Sequence, residues 1–331
     1  RSRKMHLFRA CIVVISLLFP GISFAGQASW TPFVSSDFVS GVALYGDYLW
    51  CATSGGVVRW DTRNMTFTKF TSADGIQSNV LSAIGVSLDG TVWAGSEGCG
   101  QWGDNLSAYN GIQWKVFQDE SGPGKSVSSL AFARDGAAWV GTNLAEYLCG
   151  PGRGLFRYRD KVWTRFTHED GFGDVLDCVN SVAIDAAGIV WAGTNKGIGR
   201  YDGVSWRNYT KTDGLVSDSI TAAAVDSLGR VWAGTYSGLS CFDGKTWKTY
   251  TLGDGLAGNY ICSLSIGPGN EVWAGTETGL SCFDGAQWKS FRIADGLPDD
   301  AVNSIAVSPG GVVWIGTAKG LGRYDGVLWT R

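Results

Sequence analysis

Few residues in this chain could do chemistry, and they do not gather. Beyond residue 25 there is one histidine, His168. Catalysis by a Ser-His-Asp or Cys-His set would have to use it, because the base must reach its nucleophile by a hydrogen bond. No nucleophile motif stands beside it, and its surroundings read as a solvated loop. Metal sites need His, Cys or carboxylates clustered at short spacing, and calcium loops need alternating Asp. Neither pattern occurs. Asp-Gly pairs recur at Asp74, Asp170, Asp213, Asp254 and Asp295 and suggest an acidic ring, but Asp-Gly is first of all turn chemistry. Gly152-Arg153-Gly154 follows no strand-to-helix pattern, so a phosphate loop is set aside. No catalytic residue, metal or cofactor is expected.

Binding chemistry has better candidates. Three stretches interrupt a pattern that is otherwise regular: "EGCGQWGDN" (97–105), "QDESGPGK" (118–125) and "NLAEYLCGPGR" (143–153). Trp102 and Tyr147 could stack on a sugar ring or a peptide. Glu97, Asp104, Asn105, Glu146, Arg153 and Lys125 could hydrogen-bond to it. The competing reading packs these loops only on one another. Cys99 and Cys149 sit in neighbouring insertions and could form a disulfide in an exported protein, although connectivity does not follow from sequence. Cys51, Cys178, Cys241, Cys262 and Cys282 lie in or beside strands and read as small hydrophobes.

The elements that hold these residues are set by a repeat. An aromatic-small-small-Thr/Ser motif begins at Trp50, Trp93, Trp139, Trp191, Trp232, Trp273 and Trp314, at intervals of 43, 46, 52, 41, 41 and 41. The longer intervals hold the insertions. Each unit reads as four short strands, as in Val179–Ile184, 190–194, 198–202 and 205–210, joined by Gly and Asp-Gly turns. A four-stranded meander cannot cover both its faces alone. Placed radially, each sheet covers its neighbours and only short edges remain. Small residues such as Ser181 and Ala183 suit the crowded axis, and tryptophans suit the widening rim. The fold class is therefore all-β: a seven-bladed β-propeller of four-stranded antiparallel blades, with a β-solenoid as the alternative. Two segments compete for the outer strand of the last blade, 29–34 and 327–331.

The ends and totals are consistent with an exported module. Residues 1–25 place Arg1, Arg3, Lys4 and Arg9 before an apolar run and end in Ser23-Phe24-Ala25, which reads as a signal peptide. The propeller occupies 26–331, with the C-terminus open to truncation. Localisation is expected to be periplasmic or extracellular, with no membrane span after signal cleavage. Without the signal, 23 basic residues stand against 30 acidic ones, and no basic run appears, which argues against nucleic acid.

With "NSVAIDAAGIVWAGTNKGIGRYDG" (180–203) in view, the chain resembles the two-component regulator propeller repeat of bacterial sensor proteins. The resemblance spans Val39 to Trp329 in seven copies. It implies an exported ligand-sensing module, often one of two in tandem in hybrid histidine kinases, many of which respond to glycans. The expected partners are a small-molecule, glycan or peptide ligand and, in a fuller chain, histidine kinase or other signalling domains. The motif positions are structural and transfer no functional residue. The alternatives are a protein-interaction scaffold and a lyase or glycan-active enzyme.

Overall fold

The computed structural model describes residues 38–96, 106–117, 122–124, 126–143, 153–173 and 178–330. Seven four-stranded antiparallel sheets follow one another along the chain, each a meander in strand order one to four. Blades 1 to 7 cover 39–70, 81–116, 127–166, 179–209, 220–250, 261–291 and 302–330. The first strand of every blade packs on the first strand of the next, and that of blade 7 packs on that of blade 1, so the ring closes. Among the described residues no helix is long and apolar enough to cross a membrane.

Blade 5 shows how the repeat specifies this shape. Its strands are Ile220–Val225, Val231–Thr235, Gly238–Phe242 and Trp247–Tyr250. Trp232 is fully buried, stacks on Tyr250 at 5.8 Å and reaches Phe283 of blade 6 at 5.8 Å. Each second-strand tryptophan thus seals a junction between blades. Burying an indole removes about 150–250 Å² from water, roughly 4–6 kcal/mol gross before entropy is subtracted.

The threonine after the glycine is a turn device. Thr235 Oγ1 donates to Gly238 O at 2.8 Å and accepts from Ser237 N–H at 3.0 Å, so one buried hydroxyl closes the hairpin. Thr53, Thr194, Thr276 and Thr317 do the same. Thr235→Val keeps the shape and leaves the buried Gly238 carbonyl and the partly buried Ser237 N–H without this partner. It should lower stability by about 1–3 kcal/mol in urea denaturation.

One feature of the inner strands is absent from any simple strand pattern. All seven carry a β-bulge, skipping Ser40, Ser82, Ser128, Asn180, Thr221, Cys262 and Asn303 in the ladder. The bulge re-aims these side chains sideways. Ser40 Oγ donates to Leu81 O (2.6 Å), Ser82 Oγ to Val127 O (2.5 Å), and Ser128 Oγ to Val179 O. Asn180 Nδ2 donates to Ile220 O (2.8 Å) and Thr221 Oγ1 to Ile261 O (2.6 Å). Each is a bond from one blade to the next. At the last two junctions the pattern stops: the Cys262 thiol points to the carbonyl of Tyr260 at 3.9 Å, and Asn303 Nδ2 is buried without a partner.

Two expectations change in detail. The third and fourth strands of blade 4 run Gly197–Tyr201 and Trp206–Tyr209, each slightly offset from the spans read from sequence. The outer strand of blade 7 includes Trp329–Thr330, paired with Tyr324 and Arg323. Its competitor, 29–34, lies outside the described residues, as does the signal segment 1–25.

Candidate functional site

The turns between second and third strands, and the connections from one blade to the next, share one end of the disc. In blades 5 and 6 this end carries the short turns Tyr236-Ser237 and Glu277-Thr278. There Tyr236 lies 4.6 Å from Tyr260, ring to ring, and Tyr236 is exposed. Burial, then the Tyr236 ring beside it, pushes the Tyr260 phenol well above its usual range.

In blade 3 the same turn position receives the insertion, and the frame survives it. Thr142 Oγ1 donates to Gly154 O at 2.9 Å and accepts from Arg153 N–H at 2.9 Å. Arg153 and Gly154 therefore stand where Ser237 and Gly238 stand in blade 5. Gly154 takes φ +94, and a Cβ there would lie 2.2 Å from Phe166 O, so only glycine fits the closure. The insertion is a long tip grown on an ordinary hairpin.

The connection from blade 2 to blade 3 meets this tip at its base. Asn143 N–H donates to Ser126 O at 3.2 Å, joining the start of the blade 3 insertion to the end of the 118–125 segment. In blade 2 the insertion falls between Ser96 and Leu106, which end and begin the second and third strands. All three irregular stretches therefore leave from the same end of adjoining blades.

Of the candidate contacts, Arg153 is described. Its guanidinium lies 5.7 Å from the Phe156 ring, and its carbonyl accepts from Arg165 Nε at 2.5 Å. Burial, and then the Arg165 cation, lowers its affinity for the proton. Trp102, Tyr147, Glu97, Asp104, Asn105, Glu146 and Lys125 lie outside the described residues, as do Cys99 and Cys149.

The other sequence candidates resolve into structure. The Asp-Gly aspartates do not form hairpins. Each caps a 3-10 turn between blades, with the carboxylate accepting the backbone N–H three residues earlier at 2.8 Å: Asp74 from Thr71, Asp170 from Thr167, Asp213 from Thr210, Asp254 from Thr251 and Asp295 from Arg292. His168 is exposed in one of these turns. Cys51, Cys241, Cys262 and Cys282 are free thiols, and Cys178 is buried. Burial raises Cys241, Cys262 and Cys282 to about 12, so none is a ready nucleophile.

Comparison with known proteins fits this architecture. Residues 214–237, from the end of one turn through the Val-Trp-Ala-Gly-Thr strand of blade 5, match the two-component regulator propeller family. The chain carries a two-component regulator propeller repeat. No curated protein matches the chain. Among solved structures, the chain is similar to the extracellular domain of a hybrid two-component system from B. thetaiotaomicron. The TM-score is 0.73 at 23% identity, over 88% of this chain and 39% of that one. It is also similar to PorZ, a surface component of the type-IX secretion system of Porphyromonas gingivalis, with TM-score 0.67 and 18% identity over 91% of this chain and 48% of that one. This chain thus spans less than half the length of either. Virginiamycin B lyase from Staphylococcus aureus, solved with quinupristin, shares the fold at TM-score 0.70 and 10% identity, over 88% and 96% of the two chains. At these identities the likeness is one of fold.

Proposed function

We propose that this regulator propeller is an exported sensing module that binds its ligand at the end of the disc bearing the three irregular stretches. The observation that carries this reading is that two of those stretches start side by side at one end of blade 3, where Asn143 N–H meets Ser126 O through the same ladder bond that joins Ser54 to Phe38 in blade 1. A rigid scaffold that presents long loops at one place is the usual layout of a binding site. Trp102 and Tyr147 supply flat apolar faces for a sugar ring or peptide. Glu97, Asp104, Asn105, Glu146, Lys125 and Arg153 supply polar contacts around them. The reading is binding rather than catalysis, because the recurrent carboxylates already cap turns. An extracellular setting and a signalling partner accord with the hybrid two-component protein whose fold it shares. A signal peptide in residues 1–25 would direct the module across the membrane, and cleavage after Ala25 would release it.

A glycan array probed with the chain lacking residues 1–25 tests the ligand class. Trp102→Ala should abolish whatever binding is found and leave the denaturation midpoint unchanged. A loss of several kcal/mol of stability instead would make Trp102 a core residue and remove it from the site. Binding of proteins alone, with no glycan or small ligand, would favour a scaffold. The paired insertions also predict a Cys99–Cys149 bridge, which would tie the two loops. The chain without its signal would then show five free thiols when denatured without reductant, and seven would exclude the bridge.

A further inference from the structure

The third and fourth strands make a coupled choice at one register. Where the third strand has arginine the fourth has threonine: Arg59 faces Thr68, Arg157 faces Thr164 and Arg323 faces Thr330. Where the third strand has a small residue the fourth has lysine: Ala108 faces Lys115, Cys241 faces Lys248 and Cys282 faces Lys289. Blade 4 has both, Arg200 facing Arg207. Every blade therefore keeps a cation over its aromatic stack. Arg59 lies 5.6 Å from Trp50, Arg157 5.9 Å from Trp139 and Arg323 5.9 Å from Trp314. Lys115 lies 5.6 Å from Phe117, Arg207 4.7 Å from Tyr209, Lys248 4.7 Å from Tyr250 and Lys289 4.8 Å from Phe291.

In blades 4 and 7 the third-strand arginine also has an acid partner two residues on. Arg200 pairs with Asp202 at 3.5 Å and Arg323 with Asp325 at 3.6 Å. Blade 6 keeps the equivalent tryptophan, Trp273, and the equivalent acid, Asp284, but has Cys282 in place of the arginine. The missing side chain leaves space. A cleft of about 390 Å³ opens there, lined by Trp273, Cys282, Asp284, Lys289, Phe291 and Tyr324. Blade 5 also has a cysteine, yet Arg230 covers Trp232 at 5.4 Å and pairs with the buried Asp226 at 2.6 Å. Blade 6 has Glu271 at the register of Arg230, and its carboxylate accepts from Gly269 N–H at 2.7 Å.

We propose that the cleft between blades 6 and 7 binds an arginine side chain of a partner polypeptide, with its guanidinium over Trp273 and against Asp284. The protein's own blades supply the template, since an arginine fills this register in four of them. Planar, weakly hydrated guanidinium suits aromatic walls better than ammonium does. The volume falls in the range of small-ligand sites. Asp284 Oδ1 accepts from Gln287 and then Ala286 N–H, both at 2.8 Å, and these bonds hold the carboxyl below its usual range. Lys289 does not exclude a second cation, because Arg200 and Arg207 stand in the same two places in blade 4.

Calorimetric titration of the full chain with N-acetyl-arginine amide tests this. The neutral citrulline analogue, nearly the same shape, should bind at least about tenfold more weakly, and the lysine analogue should also bind more weakly. Cys282→Arg should abolish binding by filling the cleft with the chain's own guanidinium, while Cys241→Arg should leave it intact. Asp284→Asn keeps the turn acceptor and should weaken binding about tenfold. A short Gly-Ser peptide with one arginine should bind at least as well as the amide. Equal binding of arginine and citrulline, or undiminished binding by Cys282→Arg and Asp284→Asn, would overturn the proposal.

Discussion

Trp232→Ala should cost the propeller about 3–5 kcal/mol, near the largest loss a core truncation produces. Three effects add. The indole is fully buried between blades 5 and 6, so its removal leaves a cavity that neighbouring sheets cannot collapse into without breaking register. It holds Tyr250, Phe283 and Trp288 at ring distances of 5.8, 5.8 and 6.4 Å, and all three lose a face. Its Nε1–H donates to Asp226 Oδ2 at 3.2 Å, beneath the Arg230 ion pair, so a buried carboxylate loses a donor. Trp232→Phe should recover part of the packing and none of the hydrogen bond. Urea denaturation of the three proteins measures this, and a loss below 2 kcal/mol for alanine would mean that the inter-blade rings are not the main cement.

Gly234→Val should be nearly as damaging, for the opposite reason. A Cβ at Gly234 would lie 2.6 Å from Ile261 Cγ2 and 2.8 Å from its Cβ, on the first strand of blade 6. Two sheets would have to part by several tenths of an ångström, and valine adds two methyl groups to that wedge. Overpacking of this kind costs about 1–3 kcal/mol, and the branched side chain puts this case at about 3 kcal/mol. The cause can be isolated. Ile261→Ala alone loses buried contacts, but in the double variant it makes room for the valine, so the pair should cost less than the sum of the singles. Additive losses would show that the glycine serves the backbone instead of the neighbour. Blade 1 meets the same constraint differently: Ala52 takes the glycine position and Gly41 faces it across the ladder.

The repeat made the fold legible because its cause is local. A tryptophan followed by two small residues and a threonine is what a strand needs when another sheet lies on it, and the spacing counts the sheets. The turn role of the Asp-Gly pairs was legible for the same reason, although their 3-10 geometry was not, since Asp-Gly equally opens hairpins. The bulge bonds were not legible. Ser40 and Leu81 are 41 positions apart, and only the assembled ring brings a hydroxyl to that carbonyl. Reading Cys241 and Cys282 as small hydrophobes misses their partners across the ladder. The exchange of Arg-Thr for Cys-Lys shows only once the register pairs Cys282 with Lys289. The candidate loops stand out as breaks in a period, a signal that nominates residues without giving their shape.

Five consecutive junctions, from blade 1 to blade 6, are stitched by a side chain from each bulge. The two that flank blade 7 are held without that stitch. The disc is thus an arc of six fastened sheets with a keystone set into the gap. A keystone seats last and lifts first: blade 7 should be the final piece to dock as the chain folds, and new termini cut on either side of it would disturb the arc least.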